Sequence, residues 1–117
     1  MSFAAAIAAI GQALSTQRLG TPVAARVLVH TLNDARELPA LTAHVAMVNC
    51  NWLGSAPKSL FAHGDVRGGQ LTVLLRLEGG QSAIVSVGSK SQRAPAMEII
   101  LFGNRGTLSW EGGEPDG

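Results

Sequence analysis

The sequence is poor in the residues that disulfides, metal sites and nucleic-acid surfaces require. Cys50 is the only cysteine among 117 residues, so no intrachain disulfide can form. Histidine-based zinc sites follow short ligand spacings, which His30, His44 and His63 do not match. Tyrosine is absent and aromatic residues make up 4% of the chain, so few rings are present on which nucleic-acid bases could stack. The net charge is +1 without a basic cluster. We therefore expect neither a metal ion nor a nucleic-acid partner.

Long hydrophobic runs are also missing. No apolar stretch approaches the roughly 20 residues that a membrane-spanning helix requires. The apolar opening at residues 3–10 has no Lys or Arg before it, unlike a secretory signal peptide. Together with the lone cysteine, this predicts a cytoplasmic protein without a membrane association.

Apolar spacing predicts two helices. The first stripe recurs at steps of four, three and four: Phe3, Ile7, Ile10 and Leu14. The second stripe follows Pro39 and comprises Leu41, His44, Val45, Val48 and Trp52. Gly54 lies where a helix C-terminal cap is expected.

Short apolar segments separated by glycines predict strands at residues 23–30, 59–62, 71–77, 82–87, 97–102 and 107–110. Gly79 and Gly80 favour a tight hairpin, and Gly103-Asn-Arg-Gly106 favours a second turn. At least the last three strands are therefore expected to be antiparallel neighbours. The predicted fold class is α+β, with a mostly antiparallel open sheet of five to six strands and two helices on one face. Residues 1–111 are expected to form a single domain, followed by a flexible tail at 112–117.

Apolar side chains point to both faces of the predicted sheet. Leu74, Ile84, Ile100 and Phe102 alternate with the apolar residues of the opposite face. Two helices cover only one face of such a sheet, and soluble monomers rarely leave a large apolar patch exposed. We therefore expect the other face to be used for oligomerisation, in a homodimer.

Three short sequence motifs carry a family resemblance: Leu19-Gly-Thr-Pro-Val23, Leu74-Leu-Arg-Leu-Glu-Gly-Gly80 and Leu101-Phe-Gly-Asn-Arg-Gly-Thr-Leu-Ser-Trp110. With the order of the predicted elements, they resemble the C-terminal domain of the glucose-fructose oxidoreductase and inositol dehydrogenase (Gfo/Idh/MocA-like) family. The resemblance covers nearly the whole chain. It implies the fold of that family's substrate and oligomerisation domain.

In that family a nucleotide-binding Rossmann domain precedes this one, and no G-x-G-x-x-G follows a predicted strand here. The resemblance therefore implies no cofactor on this chain alone, and NAD(P) only where a partner supplies the nucleotide domain. It also implies a substrate-facing histidine on the second helix, which His44 matches, whereas Met47 takes the place of a carboxylate partner. Because no carboxylate orients and charge-stabilises the histidine, we expect no catalytic residue on this chain.

Two residues are predicted to bind a sugar-like substrate, His44 and Arg76. The alternative for His44 is a neutral core histidine with one hydrogen bond. Arg76 interrupts a strand of Leu and Val, so its charge must reach solvent, a carboxylate or a bound anion. The alternative for Arg76 is an intersubunit pair with Glu78 or Glu98.

Other polar residues of the second helix have simpler interpretations. Asn49 and Asn51 are predicted to be solvated amides. Cys50 is predicted to be a small buried hydrophobe.

Two functions remain open on these grounds. The first is a non-catalytic ligand-binding or dimerisation module, similar to the substrate domain of NAD(P)-dependent sugar oxidoreductases and not active alone. The second is a subunit of a split oxidoreductase, in which a separate dinucleotide-binding subunit supplies the nucleotide domain. A further possibility is a fragment of a longer gene product.

Overall fold

The computed structural model describes residues 3–31, 35–65, 67–89 and 96–112. Helix α1 spans Phe3–Ser15, and helix α2 spans Leu38–Leu53 after a one-turn 3-10 helix at Ala35–Glu37. Both helices that the apolar spacing predicts are therefore confirmed.

The ends of α2 follow from its sequence. Pro39 lies in the first turn, where a missing N–H costs no hydrogen bond. Gly54 adopts a left-handed conformation with φ 70°, and its N–H donates to the carbonyl oxygen of Asn51 at 3.2 Å. The predicted C-terminal cap at Gly54 is confirmed.

Six strands form one sheet. They are β1 Pro22–Thr31, β2 Pro57–Asp65, β3 Gln70–Leu77, β4 Ser82–Ser89, β5 Ala96–Gly103 and β6 Thr107–Gly112. Their order in the sheet is β2-β3-β4-β1-β5-β6. The β1–β4 pair is parallel and the other four pairs are antiparallel. The structure confirms the predicted α+β fold with a mostly antiparallel open sheet.

Both helices pack against the same face of the sheet. Buried side chains on that face alternate along the strands: Ala25, Val27, Val29, Val73, Leu75, Val85, Val87, Ile99 and Leu101. Val45 and Trp52 of α2 and Ile10 of α1 complete the same core. Each large apolar side chain removed from water contributes about 1.5–3 kcal/mol, so this layer contact is the main source of stability.

The two predicted hairpins are formed. Leu77 donates its N–H to the Gln81 carbonyl oxygen at 2.9 Å, which closes the turn between β3 and β4 around Gly80. Gly103 donates to the Gly106 carbonyl oxygen at 2.8 Å between β5 and β6. Gly80 has a φ of 91°, a conformation that other residues rarely adopt.

One predicted neighbour relation is wrong, because β4 and β5 do not pair. Strand β1 lies between them, parallel to β4 and antiparallel to β5. A parallel pair requires a long crossover connection, and the chain between β1 and β4 supplies one that includes α2. The prediction failed because strands that follow one another in sequence were assumed to be neighbours.

The end of the domain lies slightly later than the predicted boundary. Gly112, the first residue of the predicted tail, is the last residue of β6. The remainder of that tail, residues 113–117, lies outside the described residues. Within the described part of the chain, neither helix has the length and apolar character to cross a membrane.

Candidate functional site

The sheet face turned away from the helices is largely uncovered, and we call it the open face. Its centre is one row of side chains in register across the six strands: Phe61, Leu74, Ile84, Arg26, Ile100 and Ser109. Phe61 is 61% exposed, and Leu74 and Ile84 are 44% and 42% exposed. Phe102, also on this face, is 41% exposed. The apolar character predicted for both faces is therefore confirmed.

Charged side chains lie on either side of this row. Arg76 is exposed on β3, opposite Ser59 of β2 and Ser82 of β4, whose small side chains leave the guanidinium accessible. Glu98 of β5 lies directly opposite Glu111 of β6. The open face is therefore mainly apolar along its central row, which Arg26 interrupts, and charged near two of its corners.

His44 lies on the outer surface of α2 and is exposed. The buried side of the helix passes through Val45, Asn49 and Trp52, so a residue one step before Val45 is turned by about 100° out of the core. The core-histidine alternative is therefore wrong, as is the prediction that His44 shares a face with Val45 and Trp52. Substrate binding by His44 stays a prediction.

The structure does not bring His44 and Arg76 together. Leu75 and Leu77 point toward the helices, so Arg76 between them points to the open face, on the opposite side of the sheet from α2. A pocket shared by His44 and Arg76 within one copy of the chain is therefore excluded. Substrate binding by Arg76 also stays a prediction.

A groove on the helix side runs between α2 and β2, and we call it the α2–β2 groove. Its cavity volume is about 610 Å³, and its lining includes Met47, Cys50 and Leu60. Met47 is 72% exposed and Leu60 is 60% exposed. Burial raises the pKa of the half-buried Cys50 thiol above its usual value.

Sequence reasoning missed three residues. Asn49 is fully buried rather than solvated, and its Nδ2 donates to the Val45 carbonyl oxygen at 2.8 Å. The sequence signal for the burial of Asn49 was its position four residues after Val45, on the same side of the helix. Asn51 is exposed, as predicted. Arg26 and Phe61 of the open face were not singled out, although Arg26 alternates visibly with Ala25 and Val27.

The sequence between β1 and α2 lacks the glycines of a typical dinucleotide-binding turn. Dinucleotides bind where a glycine-rich turn leads from a strand into a helix N-terminus. Strand β1 leads to α2 through residues 32–37, a stretch that contains no glycine. Within residues 3–31, 35–65, 67–89 and 96–112, no cluster of three His, Cys, Asp or Glu side chains could hold a metal ion.

Several solved structures of dehydrogenases contain this arrangement of helices and strands. A probable dehydrogenase from Thermotoga maritima superposes with a TM-score of 0.75 at 16% identity, over 88% of this chain and 37% of that chain. Myo-inositol dehydrogenase from Lactobacillus casei, solved with NAD(H) and myo-inositol, gives 0.74 at 14% identity, over 94% and 41%. The chain has the fold of one part of these dehydrogenases.

A third similar structure is that of a dehydrogenase named for a nucleotide sugar. UDP-N-acetylglucosamine 3-dehydrogenase from Acidithiobacillus ferrooxidans gives a TM-score of 0.69 at 20% identity, over 87% of this chain and 36% of that chain. This chain spans less than half the length of each of the three dehydrogenases. A scan against protein-family models gives no match, and neither does a comparison with curated proteins. The predicted resemblance to inositol dehydrogenases is confirmed at the level of the fold.

Proposed function

We propose that the chain is a non-catalytic module that forms a homodimer through the open face, in the manner of a substrate and assembly domain of a sugar oxidoreductase. The observation that carries the proposal is the central row of the open face, in which exposed Phe61, Leu74 and Ile84 lie side by side on three neighbouring strands and Ile100 follows beyond Arg26. Single exposed apolar residues need no explanation, whereas a contiguous patch of them marks an interaction surface.

The dimensions of the molecule suit this role. It measures 38 × 29 × 17 Å, so its broad faces are large enough for the roughly 800 Å² that each partner contributes to a standard interface. Two sheets packed face to face bury such rows against one another at a separation of about 10 Å. A second copy of the chain supplies a surface of the same size and character.

The residue type at position 47 supports the non-catalytic part of the proposal. Met47 follows one helical turn later on the same outer side of α2 and is 72% exposed. A thioether neither orients an imidazole by a strong hydrogen bond nor stabilises an imidazolium, as a carboxylate does.

Sedimentation equilibrium of the purified chain tests the proposal. The expected mass at micromolar concentration is twice the 12.1 kDa of one chain. Burial of the open face provides the physical reason, because apolar area removed from water contributes about 25 cal/mol per Å². A monomeric mass at that concentration would contradict the proposal.

The α2–β2 groove favours a second candidate function, a subunit of a split oxidoreductase. In this alternative a dinucleotide-binding chain docks on the helix side, against Met47 and Leu60. The groove is apolar and lies on the opposite side of the sheet from the open face, so both interfaces can be occupied together.

Alkylation of Cys50 tests this alternative. The isolated chain is expected to react with iodoacetamide more slowly than free cysteine at neutral pH, because the raised pKa lowers the thiolate fraction. Adding a co-purifying dinucleotide-binding protein is expected to slow the reaction further, and Met47→Asp should remove that protection. A reaction rate that the added protein leaves unchanged would exclude docking in the groove. The matched control is Leu74→Asp, which changes the open face and should keep the protection.

A further inference from the structure

The carboxylates on the open face are incompletely neutralised within one copy. Glu98 and Glu111 are directly opposite on adjacent strands, an arrangement in which like charges repel. Arg26 is the cation nearest to them in the strand register: its neighbour on β5 is Ile100, two residues from Glu98. Arg26, Glu98 and Glu111 line one shallow depression. Among the residues that the structure describes, one guanidinium therefore faces two carboxylates.

Arg76 cannot serve this pair within its own copy. Strand β3 is three places from β5 in the sheet, a separation of about 14 Å at the usual strand spacing. Arg76 also lies two residues beyond Leu74 on one side of the apolar row, whereas Glu98 lies on the other side. Arg76 and the Glu98–Glu111 pair are therefore at opposite corners of the open face.

Arg76 and Glu98 lie at symmetric positions about the centre of the sheet. Arg76 belongs to the second strand from one edge, and Glu98 belongs to the second strand from the other edge. The midpoint between them falls between Ile84 and Arg26, which pair at the middle of the apolar row. A two-fold axis can lie in the plane between two stacked sheets, perpendicular to the line that joins Arg76 to Glu98. Rotation about this axis places Arg76 of each copy over Glu98 of the other copy.

We infer that in the dimer Arg76 of each copy pairs with the Glu98–Glu111 carboxylates of the other copy, and that these two contacts select one orientation of the sheets. The inference rests on the dimer proposed above. The strands of the two sheets then cross at a steep angle, one of the two packings that sheets adopt. The exposed apolar side chains supply the attraction, and the charges exclude orientations that place Arg76 against Arg76 or Glu98 against Glu98.

A pair of variants with exchanged charges tests this orientation of the two sheets. Arg76→Glu alone and the double variant Glu98→Lys/Glu111→Lys are each expected to raise the dissociation constant of their homodimer at least about a hundredfold, because like charges then face each other twice. An equimolar mixture of the two variants is expected to dimerise again, since both contacts are then oppositely charged. Native mass spectrometry distinguishes the mixed dimer from the two homodimers.

The matched control is Arg18→Glu, the same change in charge at an exposed residue after α1, and it should leave the dimer intact. Circular dichroism verifies that each variant is folded. If the wild-type chain dimerises and Arg76→Glu dimerises with the same affinity, the inferred orientation of the two sheets is wrong, whereas the proposed function remains in place. Failure of the mixture to form a mixed dimer would overturn the inferred orientation as well. A monomeric wild-type chain would instead contradict the proposed function itself.

Discussion

Replacing Ile84 with lysine is expected to convert the proposed dimer into a monomer. Ile84 lies at the middle of the apolar row, between Leu74 and Arg26 in the strand register. It is 42% exposed in a single copy, so a lysine there reaches solvent and the isolated chain folds normally. In the dimer the same ammonium is desolvated beside Arg26 without a carboxylate partner.

The expected magnitude follows from the cost of an unpaired charge. Burying an uncompensated ammonium costs several kcal/mol, and each 1.4 kcal/mol changes a dissociation constant about tenfold. The dissociation constant should therefore rise by about a hundredfold or more, which sedimentation velocity over a dilution series measures.

The control for this variant is Met47→Lys, which introduces the same charge at an exposed apolar residue on the helix side. It is expected to remain dimeric. If Ile84→Lys sediments as the wild-type chain does, the open face is not the dimer interface.

The Gly103→Ala variant is expected to lose about 1–3 kcal/mol of unfolding free energy, the usual range for an overpacked core position. A methyl group at Gly103 would clash with the carbonyl oxygen of Leu19 and would lie 2.8 Å from the Cβ of Leu19. Leu19 is itself buried, and its carbonyl oxygen accepts the N–H of Arg105 at 2.9 Å. Backbone on both sides must move to make room, which the hairpin between β5 and β6 resists.

Gly11→Ala provides the comparison, because the same methyl group meets nothing within 4 Å on the exposed side of α1. This variant is expected to gain up to about 1 kcal/mol, since alanine favours a helix more than glycine does. Urea denaturation at one fixed protein concentration measures both changes, because dimerisation makes the midpoint depend on concentration. Equal midpoints for Gly103→Ala and wild type would contradict the close approach of Leu19 to β5.

The local elements were predictable because they depend on neighbours in sequence. Short apolar runs separated by glycines located all six strands, and the stripe from Leu41 to Trp52 located α2. Gly54 and the Gly79–Gly80 pair marked a cap and a turn, since few other residues adopt their backbone conformations. Boundaries differed mainly at β2, which extends from Pro57 to Asp65 rather than over residues 59–62.

The candidate site was predictable only in part. Arg76 was recognised because a charge in an apolar strand requires a partner or solvent, and its exposure on the open face agrees with that requirement. His44 was assigned to the wrong side of α2, because the periodicity was read without knowing which residues face the sheet. Glu98 and Glu111 are thirteen residues apart in sequence and become neighbours only through the β5–β6 register.

The sequence by itself determined the element types, the turn positions and the apolar character of both sheet faces, since each depends on residues a few positions apart. Only the tertiary structure decided that β1 separates β4 from β5, that His44 and Arg76 lie on opposite sides of the sheet, and that two carboxylates meet at one corner. These outcomes depend on strand pairing between distant segments, and pairing is chosen by the packing of the whole sheet against the helices rather than by any local pattern.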